Sequence, residues 1–337
     1  MHMADALLSP AVGGTLWAAT AGTIAYCSAK VRRELDERKV PLMGVFAAFV
    51  FAVQMINFTI PATGSSGHLG GGLLLAILLG PHGAFLAIAS VLFIQALFFA
   101  DGGLLALGCN IVNLGVFPAF VAYPLIYKKL VGREPTQGRL IAASLLAAVI
   151  GLQLGAFAVV METVVSGISS LPFEAFVLMM QPIHLGIGIV EGLVTAAVVS
   201  FVWRARPEIL QSALEARPVG AVPIRSLMVG FLAATLLTGG LVSWFASESP
   251  DGLEWAIAGV TGSAAPLEAE HGVHGTLAAL QKKLAFLPDY ALPSSGGEGA
   301  TAGESRLGTS VSGLVGGAIT LALCALIGLL LRRARKG

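Results

Sequence analysis

Position two, directly after Met1, is a histidine, and that placement gathers donors for a metal ion. A free α-amine, the His2 amide nitrogen and the His2 imidazole Nδ1 can all reach one ion. Amine and amide close a five-membered chelate ring; amide and imidazole close a six-membered one. The three nitrogens lie nearly in one plane, and a fourth would complete a square. Square-planar nitrogen coordination suits Ni(II) or Cu(II), and Co(II) is chemically compatible with it. A second histidine, His68, ends the loop Gly64-Ser65-Ser66-Gly67-His68. His184 lies inside an apolar run, where an ionisable group is either functional or a hydrogen-bonded core histidine. His82 reads as a helix-turn residue. His271 and His274 stand close to Glu268 and Glu270. They could capture a metal ion, although a solvated polar loop is the plainer reading.

Other chemistries fare worse. No GxxxxGK[ST] or HExxH pattern occurs in the chain, so neither a phosphate cradle nor a helix-borne zinc protease site is indicated. Ser65, Ser66 and His68 share one loop with no visible third group to orient the histidine, which speaks against serine hydrolysis. Cys27, Cys109 and Cys324 are widely spaced within apolar runs. They read as buried small hydrophobes and not as a disulfide framework.

The elements that must position these groups are membrane helices. Of 337 residues, 56% are hydrophobic and only 12% charged. A soluble domain carries about 25% charge. Apolar spans fall at 8–29, 40–60, 69–80, 82–100, 104–127, 139–166, 174–203, 226–246 and 309–331. Most approach the ~20 residues needed to cross hydrocarbon. Of the twenty Lys and Arg, all but Lys282, Lys283 and Arg306 follow the first, fifth, seventh and ninth spans. Basic loops stay cytoplasmic. The expected fold is therefore an all-α integral membrane protein with nine transmembrane helices, its N-terminus outside and its C-terminus in the cytoplasm. With no basic residue before the first span, no leader is expected to be removed. A net charge of +1 gives no general field for nucleic acid.

The spans divide unevenly. Seven, within 1–205, are joined by short loops; residues 206–225 read as a polar cytoplasmic linker. Residues 226–337 hold two more spans around an outer loop, 247–308. Gly14, Ala18 and Gly22 lie on one face of the first span, and Gly44, Ala48 and Ala52 on one face of the second. Small residues at this spacing let helices approach closely. They serve either packing within the chain or docking to another membrane subunit.

Met1-His2-Met3-Ala4-Asp5 with Leu8-Ser9-Pro10 resembles the start of the CbiM/NikM family. So does Ile56-Asn57-Phe58-Thr59-Ile60-Pro61 followed by Gly64-Ser65-Ser66-Gly67-His68-Leu69-Gly70-Gly71. These proteins are the substrate-binding S components of energy-coupling-factor cobalt and nickel importers. Pro250-Asp251-Gly252-Leu253-Glu254-Trp255 resembles the PDGLE signature of the small CbiN/NikN subunit, which has two spans around an outer loop. Met3, Ala6 and Gly70 depart from the usual Ile, Gly and Leu. These changes bear on the path of the N-terminal loop and not on the ligand set.

The resemblance implies a metal site of the Met1 amine, the His2 amide and imidazole, and the His68 imidazole. Asn57, Ser65 and Ser66 would orient His68. It also implies a transmembrane T component and cytoplasmic ABC-type ATPase subunits as partners; if the first-span ridge is a docking face, Gly14, Ala18 and Gly22 would meet the T component. The expected function is that of a transporter subunit in a prokaryotic inner membrane, carrying Ni(II), or Co(II) for cobalamin synthesis, and not an enzyme. The rivals are an intramembrane hydrolase, for which no nucleophile and base pair convincingly, and a secondary transporter, for which no inverted repeat is visible.

Overall fold

A computed structural model describes residues 2–33, 39–220, 223–262, 272–292 and 302–336. Met1 and His271 lie outside the described residues. Helices dominate, as the apolar runs require: inside hydrocarbon a backbone must satisfy its own hydrogen bonds. They are α1 (Pro10–Arg33), α2 (Lys39–Gln54), α3 (Gly72–Leu79), α4 (Pro81–Phe98) and α5 (Leu107–Val131). Next come α6 (Gln137–Ser166), α7 (Phe173–Ala205) and α8 (Pro207–Leu214). The rest are α9 (Arg225–Gly240), α10 (Gly252–Thr261), α11 (Gly272–Leu284) and α12 (Ala302–Lys336). Within α5, residues Val112–Tyr127 wind with the wider π repeat and contain Pro118 and Pro124.

Five of these helices, α4, α5, α6, α7 and most of α12, are long and apolar enough to cross a membrane. The nine-span count therefore rests on the placement of the basic loops and not on helix length and hydropathy alone. At about 1.5 Å per residue, α2 and α9, 16 residues each, rise roughly 24 Å. The eight-residue α3 rises only about 12 Å. The second expected span stops at Gln54, and its tail becomes strand β1 (Phe58–Ile60). The third begins its helix only at Gly72, its first residues forming a non-helical segment after strand β2 (Ser65–Gly67). β1 and β2 pair antiparallel, Phe58 opposite Gly67 and Ile60 opposite Ser65. Gly71, at φ +72°, turns the chain from this hairpin into α3. A side chain there would be strained and would meet Val50.

Two loop expectations change. Residues 206–225 are not simply a polar linker. Pro207 opens α8, whose Ile209 and Leu210 are buried against α3 and α7. Nor is the described part of the outer loop merely solvated. α10 packs on α7 and α11 on α4, and Gln281 donates to the carbonyls of Ala96 and Gly102.

The C-terminal helices pack into the body of the protein. α12 and α9 both lie on α2. Gly44 of α2 brings the Leu321 carbonyl within 3.2 Å of where a Cβ would stand. Phe231 of α9 meets Phe46 and Phe49 edge-on at 4.7 and 5.1 Å. The small-residue ridge of α2 therefore serves internal packing. The ridge of α1 does not: Gly14, Ala18 and Gly22 are exposed, and nothing lies within 4 Å of a Cβ built on either glycine.

Candidate metal centre

The N-terminal segment is locked into the body of the protein. The Met3 amide donates to Asn110 Oδ1 at 2.9 Å, and the Met3 carbonyl accepts from Gly103 N. Asp5 Oδ1 accepts from the Ala106 amide at 2.9 Å. Met3, Leu7 and Leu8 are buried. Apolar anchors and a carboxylate clamp thus fix residues 3–8 and deliver His2 to one place.

That place is beside His68. The two imidazoles stack, with centroids 4.9 Å apart and planes 9° from parallel. His68 Nδ1 lies 3.2 Å from the Leu69 carbonyl, which can only accept, so Nδ1 carries the proton and Nε2 is the basic nitrogen. Burial, with His2 alongside, pushes the His68 pKa down to about 3. The ring is accordingly a neutral, ligand-competent base at physiological pH.

His2 Nδ1 sits 2.8 Å from Asp101 Oδ1, and Asp101 Oδ2 accepts from the Tyr290 hydroxyl at 2.6 Å. His2 Nε2 is buried with no hydrogen-bond partner. This differs from the chelate expectation, which assigns Nδ1 to the ion. A buried carboxylate needs a donor, and here the nearest imidazole N–H supplies it. Desolvation alone would raise the Asp101 pKa, but His2 beside it outweighs that and holds the carboxyl well below its usual value.

Both rings line a cavity of ≈ 780 Å³, together with Asp5, Asp101, Asp251, Glu254, Asp289 and His274. Five carboxylates around imidazoles make a cleft that concentrates cations. Burial raises the pKa of Asp5, Glu254 and Asp289. At Asp251, positive charge nearby, the Glu254 amide and His68 outweigh desolvation and lower it. None of Asp101, Asp251 or Tyr290 is singled out by sequence spacing as part of a metal centre. The one signal for Asp251 is its place in the PDGLE-like run.

Ser65, Ser66 and Asn57, expected to orient His68, bond to the segment 247–250 that lies along the hairpin. Ser66 Oγ donates to the Ser249 carbonyl at 2.7 Å, and Ser65 Oγ to the carbonyls of Ser66 and Pro250. The Ser66 amide donates to Pro250 O, and Asn57 O accepts from the Ser247 amide. Hairpin edges seek backbone partners, and residues 247–250 provide them. The His68 loop is steadied instead by Glu191 of α7, whose carboxylate takes the amides of Gly70 and Gly71 at 2.8 and 3.0 Å. Gln54 donates to Gly70 O at 2.7 Å.

His274 lies at the cavity rim, its Nε2 2.7 Å from the Leu8 carbonyl. It therefore holds the N-terminal segment. His82 lies elsewhere, edge-on to Tyr26 at 5.6 Å. Among the described residues, no three His, Cys, Asp or Glu side chains already surround one point.

Residues 2–209 match the cobalt uptake substrate-specific transmembrane region, CbiM, and residues 225–333 match the PDGLE domain. The NikMN protein of Archaeoglobus fulgidus is 32% identical over 326 residues, 96% of each chain. The fused nickel transport protein NikMN of Rhodobacter capsulatus is 32% identical across 86% of this chain and 88% of its own. The cobalt transport protein CbiM of Geobacter sulfurreducens is 30% identical across 72% of this chain and 71% of its own. A crystal structure of a truncated transition metal transporter superposes with a TM-score of 0.54 at 30% identity, covering 61% of this chain and 99% of that one. The chain belongs to the CbiM family of cobalt uptake substrate-specific transmembrane regions, continued by a PDGLE domain.

Proposed function

We propose that this protein is the substrate-binding membrane subunit of an ATP-driven importer for Ni(II), with Co(II) as the alternative cargo. The observation that carries the reading is the stack of His2 on His68 at the wall of an acidic cavity. Two imidazoles alone hold an ion loosely. A tight site needs further nitrogens, and the chain next to the His2 ring supplies the His2 amide and, one residue before it, the Met1 amine. For His2 Nδ1 to join them, the ring must make a half-turn and leave Asp101, which keeps its bond from Tyr290. A planar set of four nitrogens, one an ionised amide, favours Ni(II). Fused nickel transport proteins among the relatives support the same preference.

In this reading residues 1–205 are the metal-binding module, 206–225 join it to the second, and 226–337 form a two-span module whose outer loop covers the site. The N-terminus faces outward and the C-terminus faces the cytoplasm of a prokaryotic inner membrane. ATP is hydrolysed by cytoplasmic ABC-type subunits acting through a transmembrane T component that docks on Gly14, Ala18 and Gly22.

The test is metal competition, Ni(II) against Co(II), on purified protein with a native start. One residue inserted between Met1 and His2 changes both chelate ring sizes and should abolish tight binding without unfolding the protein. Binding by the extended chain as tight as by the native one would exclude the amine as a ligand.

A further inference from the structure

His68 forms part of the wall of two cavities. One is the large acidic cleft; the other is small, ≈ 10 Å³, and is also lined by His184, Asp251, Gly252 and Ile187. A cavity of about 10–15 Å³ has room for one water or one ion. His184 is fully buried in α7. Its Nδ1 lies 2.8 Å from the Met180 carbonyl. A carbonyl cannot donate, so the proton is on Nδ1 and Nε2 keeps its lone pair. That Nε2 is buried without a hydrogen-bond partner.

An orphaned imidazole nitrogen in a closed space needs a donor or a cation. The position of the PDGLE-like segment narrows the choice. Gly252 has no Cβ, and one built there would lie 3.3 Å from His184 Cε1, the atom next to Nε2. The adjoining Asp251 uses Oδ1 to cap α10, accepting the amides of Leu253 and Glu254 at 2.8 Å each. This cap fixes the carboxylate at the same small cavity. The segment thus brings a negative charge up to two neutral imidazoles, a donor set that suits a divalent transition metal better than a water.

We propose that His184 Nε2 is the inner acceptor for the transported ion, which passes from the outer chelate past His68 into a position held by His184 with Asp251. The proposal rests on the import reading. His68 and Asp251 border both cavities, so the two positions adjoin. The incomplete donor set is consistent with transit, because an ion on a path must bind well enough to enter and weakly enough to leave. It also gives the PDGLE-like segment a chemical role: its aspartate completes the step inward.

Equilibrium dialysis of the purified full chain, native N-terminus intact, with Co(II) as probe tests this. Wild type should take one ion tightly and a second more weakly. His184→Phe fills the space without a lone pair; it should lose the second ion and keep tight affinity within about threefold, well short of the 10–100-fold cost of disturbing a site's supporting groups. His184→Cys should retain the second ion and add a thiolate-to-cobalt charge-transfer band, a signature that a packing role would not produce. His2→Ala should lose the tight ion and keep the weak one. Wild type saturating at one ion, a second ion surviving in His184→Phe, or no band in folded His184→Cys would overturn the proposal. An unchanged tight ion in His2→Ala would overturn the import reading instead.

Discussion

His68 and His82 separate site from scaffold. His68 stacks on His2, whereas His82 packs against the Tyr26 and Phe120 rings. His68→Ala should weaken Ni(II) binding sharply and leave the helices folded, while His82→Ala should do far less; isothermal titration and circular dichroism check this. The group behind His68 makes a second prediction. Glu191→Leu would strip the Gly70 and Gly71 amides of their acceptor, at about 1–3 kcal/mol for each buried group left unpaired. It should lower thermal stability and also cost about tenfold in metal affinity, as lost support of a ligand does. Acid should weaken binding too, for a reason that excludes His68. With a pKa near 3, His68 stays unprotonated from neutrality down through mild acid. The amide proton expelled on chelation remains, so affinity should fall as pH drops, and His68→Gln should leave that slope in place.

Helix faces explain how much of this could be read from residue order. The ridges Gly14, Ala18, Gly22 and Gly44, Ala48, Ala52 are alike in sequence, yet one is exposed and the other faces α12. Spacing identifies a smooth face; only tertiary neighbours decide what covers it. Ala18→Leu should therefore change stability by no more than about 0.5 kcal/mol while weakening assembly with the T component. Gly44→Leu should cost about 1–3 kcal/mol from overpacking against Leu321. Thermal melts and co-purification with the partner separate the two. Full assembly by Ala18→Leu would remove α1 as the docking face. The hairpin β1–β2 was harder to read because Asn57 to Ile60 continue an apolar run. Their strand pairing depends on Ser65 to Gly67 and on the distant Ser247 and Pro250. Asp101 and Tyr290 were hidden for the same reason: 189 residues apart, they become partners only when the outer loop folds over the N-terminal segment.

At the scale of the whole molecule, composition carried the membrane class and the motifs carried the His2–His68 pairing, because both are local properties. Span count was not local in that sense. The short helix α3 has every one of its residues buried, so what it contributes to a crossing depends on its neighbours and not on its own hydropathy. Orientation follows from the basic clusters by a rule about insertion, and it can be checked directly. Cys27, Cys109 and Cys324 are all buried, so the native thiols should be silent toward a membrane-impermeant maleimide and need not be replaced. Glu134 lies between α5 and α6, and Glu248 between α9 and α10; both are exposed. Glu134→Cys should react only after the cytoplasmic side is opened to the reagent, and Glu248→Cys should react in intact cells. Glu248 lies in the segment that pairs with the His68 hairpin. Its labelling from outside would therefore put the cavity's mouth on the outer face, where an incoming ion first meets the protein. Labelling of Glu134→Cys in intact cells would mean that residues 69–100 cross the membrane once and not twice, whereas failure of Glu248→Cys to label from outside would turn the acidic cavity toward the cytoplasm, contrary to the import reading.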